Sequence, residues 1–314
     1  MSSKLPPLSS LRVFEAAARY CSFTRASEEL GMTQAAVSYQ IKILEERVGT
    51  PLFLRRPRQV SLTETGERLA PVVSEAFELL RGAFAVAEDA SQGLLSITTV
   101  NTFAANFLAV RIGRFQFKYE DLAVRLDTSP GIIDFAREEF DLAIRAGRGN
   151  WPGLETHLLV PAEFSPMLSP ELAASIGGIK QPSDLLKLPF IDPSDPWWKI
   201  WFDAMDTSSD ELKCKPRSRM GTQTLEAKAA EAGQGVAILT PAFYRDSLNR
   251  GRLIQPFERV CHDGFGYWLV YPKARRNVPK IRKFRDWILL EIKEHYEREE
   301  IAITERRETD AIVY

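Results

Sequence analysis

Apolar and polar positions follow two different periods along this chain, and the change of period divides it. In the first fifty residues the apolar positions recur every three or four residues, the helical spacing. Leu11, Phe14 and Ala18 predict a first helix, with Ser9 or Ser10 as its cap. Phe23, Ala26 and Leu30 predict a second, with Ser22 and Thr24 as candidate caps and Gly31 as a left-handed stop. Thr33 is placed to cap a third helix, on which Val37, Ile41, Leu44 and Val48 form one apolar stripe. Two short helices separated by a glycine-containing turn are the signature of a helix-turn-helix. The apolar runs Leu52–Leu54 and Val60–Leu62 flank Arg55-Arg56-Pro57-Arg58 and predict a β-hairpin wing with a basic turn.

From residue 63 to residue 88 a single long stripe follows: Leu69, Val72, Val73, Ala76, Phe77, Leu80, Ala83, Phe84 and Ala87. It packs either on its own domain or antiparallel against a second copy of the chain; the 3–4 spacing favours the second copy. Pro71 removes one backbone hydrogen bond and predicts a kink there. Beyond residue 94 the pattern alternates strand and helix. Strands are expected at 94–100, 122–128, 140–145, 164–168, 236–240 and 267–271. Helices are expected at 107–119, 197–205, 225–232 and 280–297, with a short one between the second and third strands. Such alternation predicts parallel sheets covered by helices. The late return of the chain predicts two lobes joined by crossings near 160–163 and 261–266.

Composition changes this picture little. The chain has 314 residues, 45% hydrophobic and 26% charged, with net charge −1. That is an ordinary globular composition of two or three domains. The charge is unevenly spread: residues 1–62 carry nine Lys and Arg against five Glu, an excess of +4 in an otherwise acidic chain. Local basicity is the footprint of a nucleic-acid module. No apolar run approaches the roughly 20 residues of a membrane helix, and the opening residues carry no apolar core of a signal peptide, so a cytoplasmic protein without membrane contact is expected. Cys21, Cys214 and Cys261, like His157, His262 and His295, are scattered. Neither a metal site nor a disulfide set is expected, and no cofactor is implied.

Two sets of candidate residues follow. On the third helix, Ala35, Ser38, Tyr39 and Lys42 lie opposite the apolar stripe. Small, hydroxylic and cationic side chains on one face suit a helix laid in the major groove. Gln34 and the cap Thr33 occupy its N-terminal turn, where bases and phosphates are met. Arg55, Arg56 and Arg58 of the wing suit phosphates or the minor groove. In the α/β region, ligands sit beyond the carboxyl ends of strands. That rule nominates Asn101, Thr102 and Phe103 after the first strand and Thr128 and Ser129 after the second. It also nominates Gly221, Thr222 and Gln223 before a helix, with Phe265 and Tyr267 as walls. The Thr and Ser residues fit helix capping equally well.

The segments LRVFEAAA (11–18), SFTRASEEL (22–30), TQAAVSYQIKILEERVG (33–49), PLFLRR (51–56) and LTETG (62–66) resemble, in order and spacing, those of LysR-type transcriptional regulators. Further segments, FDLAIRAGRGNWPG (140–153), LSPEL (168–172) and AGQGVAIL (232–239), resemble the branch of the glycine cleavage and inducible β-lactamase regulators. The positions of Thr102, Thr222 and Phe265 resemble effector-contacting positions of that branch. The resemblance spans about residues 5–298 and implies the following organisation: a winged helix-turn-helix DNA-binding domain over 1–62, a linker helix over 63–90, and an α/β effector-sensing domain over 91–300 built like a periplasmic binding protein. Its first lobe takes about 91–160 and 266–300, its second about 161–265. The tail 301–314 has no counterpart. Implied partners are double-stranded DNA, a small-molecule effector, RNA polymerase, and further copies of the chain as a homodimer or homotetramer.

The main rival is a DNA-binding repressor or architectural protein that needs no ligand. An enzyme is disfavoured. GxSxG, HExxH and P-loop patterns are absent, and Gly233-Gln234-Gly235 follows a helix and precedes a strand, the reverse of a dinucleotide fingerprint.

Overall fold

The computed structural model describes residues 5–56, 59–88, 93–131, 133–135, 138–214 and 219–312, and for some of these the backbone only. The chain divides into two compact units, Met1–Ala90 and Ser91–Tyr314. No helix among the described residues is long and apolar enough to cross a membrane.

The first unit contains α1 (Leu8–Tyr20), α2 (Phe23–Leu30), α3 (Gln34–Val48), the hairpin β1 (Phe53–Arg56) and β2 (Gln59–Leu62), and α4 (Glu64–Glu88). The helical stripes meet in one core: Val13, Phe14 and Ala17 of α1, Phe23 and Ala26 of α2, and Val37, Ile41 and Leu44 of α3. Leu52 and Phe53 of the wing join them, and Leu69, Val73 and Phe77 of α4 close the cluster. Phe53 sets its ring edge-on to Phe14 at 5.7 Å and to Phe23 at 5.2 Å, which seats the wing on the helices. Each such side chain contributes about 1.5–3 kcal/mol by leaving water. Ser22 and Thr33 cap α2 and α3, accepting from the backbone N–H of Arg25 and Ala36, and Gly31 ends α2 at φ 63°.

Several expectations shift here. α1 starts at Leu8 behind Pro7 with no side-chain cap, so neither Ser9 nor Ser10 caps it. Ser10 is instead fully buried and donates to Gln40 Oε1 at 2.7 Å. A hydroxyl that can reach across to α3 is worth more there than at a frayed helix end. Val48 is 38% exposed, so the buried stripe stops at Leu44. α4 is helical on both sides of Pro71. Its apolar residues divide: Leu69, Val73 and Phe77 pack on the unit's own core, whereas Val72, Leu80 and Phe84 stay exposed.

The second unit opens with β3 (Leu94–Thr99), a short α5 (Asn101–Phe103), one π-helical turn (Ala104–Leu108) and α6 (Ile112–Lys118). Next come β4 (Ala123–Thr128), β5 (Leu142–Gly147) and β6 (Leu154–Pro161). Then follow β7 (Ser165–Met167), α7 (Pro170–Ala174), α8 (Pro196–Asp203), α9 (Gln223–Glu231), β8 (Ala237–Leu239) and α10 (Arg245–Asn249). β9 (Gly266–Pro272) and α11 (Pro279–Ile312) complete the chain. The first lobe holds a five-stranded sheet in the order β4-β3-β5-β9-β6. β3 runs parallel to β4 and β5, while β9 runs antiparallel to β5 and β6. The second lobe is built round β7 paired with β8 and a core of Phe164, Leu168, Leu185, Trp198, Trp201, Phe202, Val236 and Ile238.

Parallel sheets are the expectation; β3, β4 and β5 meet it, and the remaining pairings do not. β9 brings the chain back from the second lobe in the opposite sense, and β7 and β8 pair antiparallel. β6 was not foreseen, because its first half, Leu154–His157, mixes apolar and polar residues that are all partly buried, without a clear apolar face. The helix expected over 107–119 begins earlier, at Asn101, and is broken by the π turn. No helix forms between β4 and β5 among the described residues. The two crossings lie side by side: Pro161 pairs with Gly266, Ala162 N donates to Phe265 O at 3.0 Å, and Phe164 bridges Cys261. The last helix continues well past residue 297, to Ile312.

Candidate functional site

Burial of Val37, Ile41 and Leu44 leaves the other side of α3 no choice but solvent. Gln34, Ala35 and Lys42 are exposed, Tyr39 is 64% exposed, and Ser38 is half-buried at the edge of the face. Thr33, exposed at the N-cap, spends its hydroxyl as acceptor for Ala36 N–H at 3.2 Å, which leaves the amides of Gln34 and Ala35 in the first turn to face an anion. Lys42 lies 3.8 Å from Glu46 with both side chains about two-thirds exposed, a pair weak enough to exchange for a phosphate.

Contacts from Gln40 and Glu45 hold this helix directly, and an ion pair braces the helices it packs on. Ser10 pins α1 to Gln40. Arg19 reaches Glu15 at 3.1 Å and Glu29 at 2.6 Å, tying α1 to α2. Glu45 Oε1 accepts from the backbone N–H of Leu52 at 2.8 Å and of Phe53 at 3.2 Å, fixing the wing to the end of α3. Glu45 was invisible in sequence as anything but a surface charge. The backbone of Arg55 and Arg56 belongs to β1, opposite Val60 and Gln59, rather than to the turn. Their side chains, and Pro57 and Arg58 altogether, lie outside the described residues.

The second set of candidates separates into three groups. Gly221, Thr222 and Gln223, at the start of α9, line a pocket of about 380 Å³ together with Asp192, Asp195, Trp197 and Glu226. Thr222 caps α9, its hydroxyl accepting from Leu225 N–H at 3.4 Å, so the capping role is occupied. Phe103 and Tyr267 are buried, at 0% and 5% exposure, and meet Phe243 of the second lobe: Phe103 at 5.9 Å edge-on, Tyr267 at 4.8 Å edge-on. They join the lobes rather than walling open space. Burial pushes the Tyr267 hydroxyl well above its ordinary range, so it stays protonated. Thr102 is buried beside them, whereas Asn101 is exposed.

The third group stands apart from the pocket. Thr128 is exposed at the end of β4, and Ser129 donates its N–H to Thr99 O at 3.0 Å while its hydroxyl accepts from Gly131 N–H at 3.3 Å. Phe265 is 40% exposed, with the Arg148 guanidinium 5.1 Å from its ring centre. Phe265 N–H donates to Asp263, which also accepts from the Trp197 indole N–H at 2.9 Å. A further contact between the lobes, Asn106 Nδ2 to Thr224 Oγ1 at 3.3 Å, was not foreseen.

Three of the pocket residues missed by the sequence reading are acidic. Asp192 accepts from Ser194 N–H at 3.0 Å, and Asp195 caps α8 by accepting from Trp197 N–H at 2.8 Å. Glu226 is only 7% exposed. Burial, reinforced by Asp195 and Asp192, pushes its carboxyl up to about 7. Burial also raises Asp195, against the pull of the Trp197 N–H. The signal was present: Glu226 shares a face with buried Ala227 and Ala230, where a charged residue is out of place. Among the described residues no three Asp, Glu, His or Cys side chains converge tightly enough to hold a metal ion.

Comparison with known proteins covers both units. Residues 8–67 match the bacterial regulatory helix-turn-helix protein, lysR family, and residues 88–292 match the LysR substrate binding domain. The chain is 37% identical over 291 residues to the glycine cleavage system transcriptional activator of Escherichia coli (strain K12), covering 92% of this chain and 95% of that one. It is 36% identical over 289 residues to the HTH-type transcriptional activator AmpR of Pseudomonas aeruginosa, covering 90% of this chain and 95% of that one. The solved effector domain of the transcriptional regulator AmpR of Pseudomonas aeruginosa superposes with a TM-score of 0.57 at 28% identity, covering 66% of this chain and 99% of that one.

Proposed function

Because this chain belongs to the LysR family of transcriptional regulators, a DNA-binding regulator with an effector-binding domain, we propose how its residues divide the work. The exposed face of α3 opposite buried Val37, Ile41 and Leu44 is the observation that carries the reading. Gln34, Ala35, Ser38 and Tyr39 meet base edges in the major groove, Thr33 and Lys42 meet phosphates, and Arg55, Arg56 and Arg58 grip the flanking backbone. Residues 1–62 are the reader and 63–90 the linker. The exposed Val72, Leu80 and Phe84 of α4 take a second copy, so two readers reach two half-sites. A homodimer or homotetramer in the cytoplasm, acting on RNA polymerase, completes the reading.

The effector binds beside α9, at Gly221, Thr222 and Gln223, between lobes that Phe103, Thr102 and Tyr267 join; Asn101, Thr128, Ser129 and Phe265 are candidates for contact with a ligand that extends beyond this pocket. A ligand with different affinity for open and closed lobes shifts their balance and with it the DNA contacts. The test is binding of the full chain to its own promoter duplex at several salt concentrations, with and without metabolite mixtures. Salt-sensitive binding that a metabolite alters supports the reading. Binding that no metabolite alters favours the ligand-independent repressor, and absence of salt-sensitive binding removes the DNA-reading assignment altogether.

A further inference from the structure

Glu226 stands out among the charged residues of the second unit. It is 93% withdrawn from solvent by its 7% exposure, and it lines the pocket at the start of α9. Among the described residues its carboxylate has no hydrogen bond and no cation beside it; the charges that act on it are Asp195 and Asp192. An ionised carboxylate in such a place is strongly disfavoured unless a partner arrives. Helix α9 has no local need for it. Thr222 already caps the helix, and the rest of the buried face is alanine.

The surroundings select the partner's chemistry. Asp192 and Asp195 line the same pocket, and Asp263 holds the Trp197 indole at its edge, so the local field is negative. Arg219 is the cation among the lining residues, exposed on the rim. Trp197 stacks on Phe164 at 4.5 Å, which fixes its ring as one wall. An aromatic wall beside carboxylates suits an ammonium group. A volume of about 380 Å³ fits a small molecule.

We propose that this pocket binds a small molecule through a primary ammonium group, which Glu226 receives as its buried counter-ion. The inference rests on the reading of the second unit as a sensing domain and deepens it: the effector carries a free amine. Asp192 and Asp195, engaged in a turn and a helix cap, supply field rather than direct contact. Binding draws the proton off Glu226, so affinity rises with pH up to about 7 and levels off above it. Below that point it falls by up to about tenfold per pH unit. The groups that also face Glu226 are Asp192 and Asp195 ahead of α8 and the buried Tyr244 hydroxyl.

The test titrates the isotope-labelled full chain with ethanolamine, putrescine and the twenty common α-amino acids, each beside its N-acetyl counterpart, and follows the Trp197 indole and Thr222 amide signals. The expected result is that at least one free amine moves both signals at pH 8, its N-acetyl form does not, and Glu226→Gln weakens binding at least tenfold and abolishes the pH dependence. Equal binding of acetylated and free forms, or binding unaffected by Glu226→Gln, overturns the proposal. So does displacement of the same signals by Mg²⁺ or Ca²⁺ alone. If only organic acids or neutral compounds bind, sensing stands and the ammonium anchor falls. If no compound of any charge binds, the sensing reading falls with it.

Discussion

Gln223 of the second lobe donates its side-chain amide to the hydroxyl of Tyr267 in the first lobe, at 3.2 Å. The same side chain accepts from the backbone N–H of Thr240 at 2.8 Å, and Thr240 is fully buried. One residue at the start of α9 thus ties the pocket helix both to its own lobe and to the neighbouring one.

The two bonds are expected to differ in cost. Tyr267→Phe removes one acceptor and leaves the Gln223 amide its contact with Thr240 Oγ1 at 3.3 Å, a loss of about 0.5–1.5 kcal/mol. Gln223→Ala strands the buried Thr240 N–H and costs more, about 1–3 kcal/mol beyond that. Urea denaturation followed by fluorescence ranks the two. A Gln223→Ala chain as stable as Tyr267→Phe would show that Thr240 finds another partner.

Stability carries a pH signature from Glu226. Its folded carboxyl titrates at about 7, above the unfolded value of roughly 4.3. A raised acid favours the fold below the unfolded value, and that contribution is lost as pH climbs from about 4.5 through 7. Glu226→Gln is expected to remove this slope and to raise stability at pH 8 by about 1–2 kcal/mol. Thermal melts of both chains at pH 5 and pH 8 check it; a variant that melts lower at pH 8 contradicts the assignment of an unpaired buried charge.

On DNA, Lys42→Ala should weaken binding to all sequences alike and reduce the salt slope by about one unit. Gln34→Ala and Ser38→Ala should instead change which base is preferred under the N-terminal half of α3. Competition binding against a randomised operator separates the outcomes. A uniform loss for Gln34→Ala would reassign that side chain to the phosphates.

Gly66 sits where α4 leaves the wing. A Cβ there would lie 2.3 Å from the Leu52 carbonyl oxygen, which already accepts from Thr63 N–H at 3.0 Å. Gly66→Ala must push the helix off the hairpin, so a loss of about 2 kcal/mol or more is expected, with weakened DNA binding because the wing shifts. Circular dichroism melts and promoter binding measured together test this; an alanine chain unchanged in both would mean that the backbone relaxes freely.

Much of the reader was legible along the chain. Three stripes at helical spacing, the caps Ser22 and Thr33 and the stop at Gly31 are short-range features, and short-range patterning is what a sequence displays. The α/β alternation and the two lobes were legible for the same reason. Three of the misreadings are long-range. Ser10 looked like a cap because its partner Gln40 is thirty positions away. β9 looked parallel because strand sense is set by where the chain returns, which its own residues do not record. β6 carries no clean alternation, since its neighbour β9 covers it on one edge only.

The sequence by itself determined which residues must hide and which must face water: Val37, Ile41 and Leu44 inward, Gln34, Tyr39 and Lys42 outward. It did so because hydrophobic burial acts residue by residue on a fixed helical period. Only the tertiary structure decided that Glu226, Asp192 and Asp195 share one pocket and that Gln223 spans two lobes. Charge and hydrogen bonding depend on distances between groups far apart in the chain, and those distances exist only once the core has closed.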